Sequence, residues 1–317
     1  MGQYPTPDIQ TMEQKNHWEG DIYVYHGGTV QQSDKEKIKQ VRIHPSVVTI
    51  KGAAFDGCSN LTNIIIIDES TKNNVKHIGK KSFRHCTALT NVDFGTTNIE
   101  TIDCDAFLGC TNLTTIRLPS TTKYINNQSF RECTSLTTID GLESTCVESI
   151  GDRSFLRCLN LITVNLPATI TRIGVQSFYR CSGISNLDLR ETSIEVVDVY
   201  AFFGCDNLNT IILPETTKRI GMGCFYKCSQ LSFLNLYETS IEHIDVRAFL
   251  SCCNLKTIYL PPSLEEIGES CFALCEGLQS INLHETRLEK ICRSAFYYCK
   301  KLTTLNASVT TKKEIGI

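Results

Sequence analysis

Cysteine is the residue type with most to offer chemically here: seventeen thiols in 317 residues could make disulfides, a metal centre or a nucleophile. Their number is odd, and position accounts for most of them. Eleven stand in the motif Phe-x-x-Cys, at Phe55, Phe83, Phe107, Phe130, Phe155, Phe178, Phe202, Phe225, Phe249, Phe272 and Phe296, repeated after a first step of 28 residues every 23 to 25 residues. Cys224 and Cys271 directly precede the Phe, where other copies carry Ala54, Ser82, Ala106 or Ser129, so they read as small core fillers. Only Cys104, Cys146, Cys253 and Cys292 lie outside both columns. Thiols on adjacent copies would be near enough in Cα distance for a bridge, but side chains stacked in parallel point the same way, so the column is expected to be reduced and buried.

Metal and catalytic chemistry find less support. Cys224-x-x-x-Cys228 and Cys271-x-x-x-Cys275 have a ligand-like spacing, yet zinc needs four convergent ligands and the repeat already explains all four thiols. His17, His26, His44, His77, His85, His243 and His284 share no position in the repeat. There is no Gly-x-Ser-x-Gly elbow, phosphate-binding glycine loop or paired-carboxylate motif. The reading is therefore no metal, no cofactor and no enzyme.

The elements that position these residues follow from the period. A unit of two dozen residues cannot bury its own apolar face, so successive units must stack as rungs around one continuous core. Six and nine residues after each Phe stand aliphatics, such as Leu161 and Val164, and most rungs add a third two residues on, as at Leu166. This L-x-x-I-x-L pattern ends in a period of two, the mark of a short half-buried strand that stacking pairs into a parallel sheet. Five residues before each Phe lies another aliphatic, from Ile50 to Ile291, usually followed by Gly, Asp or Asn, types that tolerate positive φ or bond their own backbone. The stretch from there to Cys is too short for a full helix and is expected to form a helical turn or a second short strand. Leu-Pro endings (Leu118-Pro119, Leu166-Pro167, Leu213-Pro214, Leu260-Pro261) alternate with endings like Glu191-Thr192-Ser193-Ile194-Glu195, so the unit is a pair of rungs.

Read together, L-x-x-I-x-L-P and I-x-x-I-G-x-x-x-F-x-x-C, as in LITVNLPATITRIGVQSFYRC from Leu161 to Cys181, resemble the leucine-rich repeat of the BspA-like type, known from bacterial and protozoan surface proteins. The Thr-Ser-Ile-Glu alternation is most similar to trichomonad and amoebal members. The resemblance implies an α/β leucine-rich repeat solenoid of about eleven rungs with a parallel sheet on its concave face. It also implies a surface-antigen or adhesion role, with a protein or extracellular-matrix ligand and no catalytic residues. The solenoid is expected over residues 41–305, with a tail and capping hairpin over 1–40, turning on Gly27-Gly28, and a tail over 306–317. Gly141 replaces the third strand aliphatic of its rung and predicts a bulge or loosened strand. Ser70 to Asn74 predict a polar loop in the long first step. The last rung has no evident cap, which predicts self-association through its edge.

Between the buried strand aliphatics, the outward positions are mostly small and polar. Ile212, Phe233 and Tyr259 break that pattern on three consecutive rungs and predict one exposed apolar patch, the candidate partner-binding site, with Asn235 beside Phe233 on the same face. The acidic edge of Glu191, Glu215, Glu238 and Glu285 is the next candidate. A net charge of −3 gives no footprint for nucleic acid, and no apolar run is long enough for a membrane span. Neither a conventional export signal nor an anchor is read in the sequence, so an intracellular scaffold is the alternative to a surface protein. Gly2 and Thr6 match the myristoylation pattern. Asn60, Asn112, Asn127 and Asn306 fall in glycosylation sequons, although Asn60 and Asn112 share a rung column with Asn160, Asn207 and Asn254, which favours a structural role.

Overall fold

All but one of the full rungs lay down two short strands, and the alternation of aliphatic and polar residues decides which way they face. The computed structural model describes residues 15–66 and 74–306. Two-residue strands from Thr49–Ile50 to Lys290–Ile291 form one unbroken parallel sheet of eleven strands, each ending at the aliphatic five residues before its Phe, and the stretch from there to Cys is a run of tight turns rather than a helical turn or a strand. Three-residue strands such as Thr115–Arg117, Thr210–Ile212 and Phe233–Asn235 form the facing wall, paired in parallel and in register. Their middle residues, Ile116, Ile211 and Leu234, point into the core. This wall is divided into separate sheets, and one division falls between Thr210–Ile212 and Phe233–Asn235.

The Phe column joins the two walls along the core. Successive rings stack nearly parallel, with centroids 5.3–5.6 Å apart and interplanar angles of 1–12°. Around each Phe the chain runs through consecutive tight turns whose N–H groups alternate in direction. Ala53, Phe55 and Gly57 donate to Lys80, Ser82 and Arg84 of the next rung at 2.7–2.8 Å, while Ala54, Asp56 and Cys58 donate within their own rung. That alternation places the residues two before and two after every Phe in the left-handed region, including Lys81, His85, Tyr200 and Leu274. Sequence placed the positive-φ slot at the glycines four residues before Phe, and this is corrected. Gly79, Gly151 and Gly268 have ordinary φ but lie so close to the preceding rung that a Cβ would meet its backbone at 2.4–2.5 Å.

All seventeen cysteines are free thiols. In ten rungs the Phe-x-x-Cys thiol donates to the carbonyl of the preceding rung's Phe at 3.0–3.2 Å. Cysteine thus fills a small apolar site and still supplies a donor to a buried carbonyl, which alanine could not. Cys224 and Cys271 are buried as expected of small fillers.

The two-rung alternation has a hydrogen-bond basis. In the Thr rungs a buried hydroxyl closes the turn after the strand, as from Thr192 to the Leu189 carbonyl (2.6 Å) and from Thr239 to that of Leu236 (2.7 Å). In the Pro rungs a backbone bond to the proline carbonyl closes it, as from Thr217 N to Pro214 O. A hydroxyl then reaches back one rung, as from Thr216 to Ile194 O at 3.0 Å.

At the N-terminal end, β1 (His17–Glu19) and β2 (Ile22–Tyr25) form an antiparallel hairpin, and β2 pairs in parallel with β3 (Gln40–Ile43). The hairpin turns at Gly20-Asp21, not at Gly27-Gly28, which instead bend the chain toward the short helix α1 (Gln32–Lys35). Tyr25 closes the Phe stack edge-on, 5.0 Å from Phe55, with its hydroxyl donating to Gly28 O. Gly141 is left-handed after an intact strand, Thr138–Asp140, and shifts the third core aliphatic by one residue to Leu142. The loosened strand lies one rung later, where residues 163–165 form none. Gly2, most of the Ser70 to Asn74 loop and the tail after Asn306, with the rest of its sequon, lie outside the described residues.

Candidate functional site

The strand period that buries Ile211, Leu234 and Ile258 turns their neighbours outward, so Ile212, Phe233 and Tyr259 are 39%, 46% and 51% exposed. Phe233 and Tyr259 meet edge to face, with ring centroids 5.8 Å apart. Ile212 and Phe233 line a groove of about 800 Å³ that opens where the wall of three-residue strands is divided. Its floor continues over Leu213 and Pro214. The backbone spacing below is stretched: Ser232 N lies 3.5 Å from Asn209 O, against 2.8 Å for Asn209 N to Ser185 O one rung earlier.

Asn235 lines the groove, but its carbonyl oxygen accepts the Tyr237 N–H at 3.0 Å, a turn-closing bond that Asp93, Asp188 and Asn282 repeat in their own rungs. Its residue type thus answers to the fold, and only its amide N–H groups remain to meet a partner. The sequence reading did not include Arg190, whose guanidinium pairs with Asp188 at 2.6 Å on the groove margin. It also missed a second aromatic cluster one residue after the Phe column, where Tyr179 stacks on Phe203 at 4.5 Å and Tyr226 meets Phe203 edge-on at 4.9 Å. Reading that column as Leu156, Tyr179, Phe203, Tyr226 and Leu250 would have found it.

Elsewhere the repeat makes charge ladders rather than reaction centres. Lys76 and Lys123 flank Glu100 at 3.4 and 3.3 Å, holding its carboxyl below the usual range, and Arg172 bridges Asp152 and Asp198. Among the described residues no group of three or more His, Cys, Asp or Glu converges as metal ligands, and no helix is long and apolar enough to cross a membrane. Of the sequon asparagines, Asn60 donates its amide to Glu36 O and Asn127 accepts the Asp152 N–H.

Family comparison matches the BspA type leucine-rich repeat region over residues 33–145, 68–185, 100–215 and 195–316. The chain belongs to the BspA-type leucine-rich repeat family. No curated protein matches it. A solved leucine-rich repeat protein from Bacteroides ovatus is similar in fold, with 21% identity over 95% of this chain and 88% of that one and a TM-score of 0.55. A leucine-rich cell surface protein from Faecalibacterium prausnitzii is 22% identical over 86% of this chain and 80% of that one, with a TM-score of 0.46. In this BspA-type chain the Phe and Cys columns are the shared scaffold, and the groove is where the repeat departs from its own pattern.

Proposed function

We propose that the chain is a non-enzymatic binding module of surface-antigen type that seats a protein or extracellular-matrix ligand on Ile212, Phe233 and Tyr259. One observation carries this reading: three consecutive rungs expose bulky apolar side chains, two of them lining a groove, at outward positions that are polar in nearly all other rungs. Membership of the BspA-type family supports a binding role, and the Thr-Ser-Ile-Glu alternation supports kinship with the trichomonad and amoebal members.

Replacing Phe233 and Tyr259 together by Ser should leave the melting curve nearly unchanged and abolish capture of the principal partner from host-surface or matrix extract. A double variant that retains every partner of the parent would refute the site. The bridge-free, thiol-rich core favours a second reading, an intracellular scaffold using the same groove. Localisation of the tagged protein in its native cell separates the two.

A further inference from the structure

The groove carries charge as well as apolar surface. Thirteen residues after the Phe of three successive rungs stand Glu191, Glu215 and Glu238, all exposed and all on the groove wall. Glu285 continues the column beyond Pro262. The groove's cation, Arg190, lies beside Glu191 but is engaged by Asp188 through three hydrogen bonds of 2.6–3.1 Å. None of the three groove glutamates has an ion-pair partner within 4.0 Å among the described residues, whereas Glu195, Asp245 and Glu266 on the facing wall are answered by Lys218, Arg219 and Lys290. A concave apolar site with three unanswered carboxylates on one margin discriminates by charge: it repels acidic chains and attracts basic ones.

We propose that the occupant is a cationic polypeptide segment of a partner, in which one apolar side chain flanked by lysine or arginine enters the groove between Ile212 and Phe233. Its basic groups then lie along Glu191, Glu215 and Glu238. The distances suit a polyproline II segment. Rungs repeat at about 4.8 Å, so Glu191 and Glu238 stand about 10 Å apart, close to the roughly 9 Å between residues three apart in polyproline II, whose threefold repeat puts them on one face. Lys-x-x-Lys or Arg-x-x-Arg around an apolar residue is the matching pattern, and the aliphatic stems of these side chains would cover Pro214 and Leu213 as their charges reach the carboxylates. The proposal rests on the protein-binding reading above and adds the charge of the ligand.

The test uses the full chain and three fluorescein-labelled peptides in anisotropy titrations: one with Lys-x-x-Lys around a leucine, one with both lysines replaced by glutamine, and one with glutamate. The lysine peptide should bind at least about tenfold tighter than the glutamine peptide at low salt, with the glutamate peptide weakest. The advantage should vanish at high salt and in the variant Glu191→Gln/Glu215→Gln/Glu238→Gln. Equal binding of lysine and glutamine peptides would overturn the cationic occupant while leaving the groove as a binding site. Binding that survives Phe233→Ser/Tyr259→Ser would overturn the groove itself. Failure of all three peptides to bind overturns the proposal, and the extract experiment then decides separately whether the patch binds protein. Concentration-dependent dimerisation abolished by the triple glutamine variant would assign the groove to a second copy and equally overturn it.

Discussion

Phe178→Ala measures how far the rungs depend on one another. Phe178 is fully buried in the middle of the stack, 5.3 Å from both Phe155 and Phe202 and nearly parallel to each. Truncation of a buried Phe costs about 3–5 kcal/mol through lost transfer energy and the cavity left behind. Breaking each of its two ring pairs adds about 0.5–1.5 kcal/mol, and partial relaxation absorbs some of the total, so a loss of about 4–5 kcal/mol is expected. Phe296 provides the internal control, because among the described residues it stacks on Phe272 alone and its neighbours Ile291, Cys299 and Leu302 are only partly buried. Its truncation should cost about 2–3 kcal/mol, at the lower limit for a Phe site that can collapse. Urea unfolding followed by circular dichroism reads both. Phe178→Ala should also lower the m-value or split the transition, since a weakened central rung lets the two halves of a solenoid unfold separately. A loss below about 1 kcal/mol for Phe178→Ala, or equal losses at the two sites, would show that the Phe stack is not a continuous core.

The thiols should sort by burial when native protein is alkylated and digested for mass spectrometry. Cys146 and Cys253 are exposed and should label first, whereas burial pushes Cys181 and Cys228 far above the usual thiol range and Cys58 up to about 12, so these should label only on unfolding. Rapid labelling of the Phe-x-x-Cys column would refute its place in the core. The N-terminal cap should weaken in acid. Both ring nitrogens of His26 are buried without hydrogen-bond partners among the described residues, and its ring lies 5.2 Å from His17 and 4.1 Å from His44, with Glu19 the nearby opposing charge. Burial first, then the neighbouring imidazoles, holds His26 below its ordinary value. The unfolded state therefore binds the proton more readily, and stability is lost as pH falls from about 6.5 toward the lowered folded value. Hydrogen exchange of β2 should accelerate over that range in the parent and change less in His26→Gln, and equal acceleration in both would remove His26 as the cause.

Much of this fold was legible because a solenoid repeats its side chains as well as its backbone. The Phe, Cys and strand aliphatic columns each occupy one environment, and eleven copies average away the exceptions. What stayed hidden is what the stack imposes on residues that do not advertise it. Lys81, Asp105, Tyr200 and Leu274 adopt left-handed backbone at about 1–2 kcal/mol each, because the alternating turn bonds to the next rung require it. No local preference predicts that, and the glycines that seemed to mark it are fixed by close backbone approach instead. The hairpin was misplaced for a related reason: Gly27-Gly28 is the stronger local turn signal, but the pairing of β2 with β3 leaves the residues before β2 to form its partner.

The same logic explains why the candidate site is visible in a single sequence at all. In most proteins an exposed Phe says little, since exposed apolar residues are common. Here each outward position is sampled on many rungs that share backbone, register and inner neighbours, so the fold's own demand on it can be read from the other copies. Asn235 shows that demand, since its type recurs as Asp93, Asp188 and Asn282 with the same turn-closing bond. Ile212, Phe233 and Tyr259 answer to no such bond and stand at positions that are polar in nearly all other rungs. The column of Glu191, Glu215 and Glu238 is acidic in other rungs too, as at Glu143 and Glu285, so the repeat itself supplies these carboxylates; particular to this stretch is that three successive rungs carry them beside the groove. The apolar departures and the uninterrupted run of glutamates fall on the same stretch of rungs, beside the same division of the strand wall. A residue that the scaffold does not explain calls for an explanation in what touches the scaffold, and on the reading proposed above that is a partner whose shape and charge fit the groove.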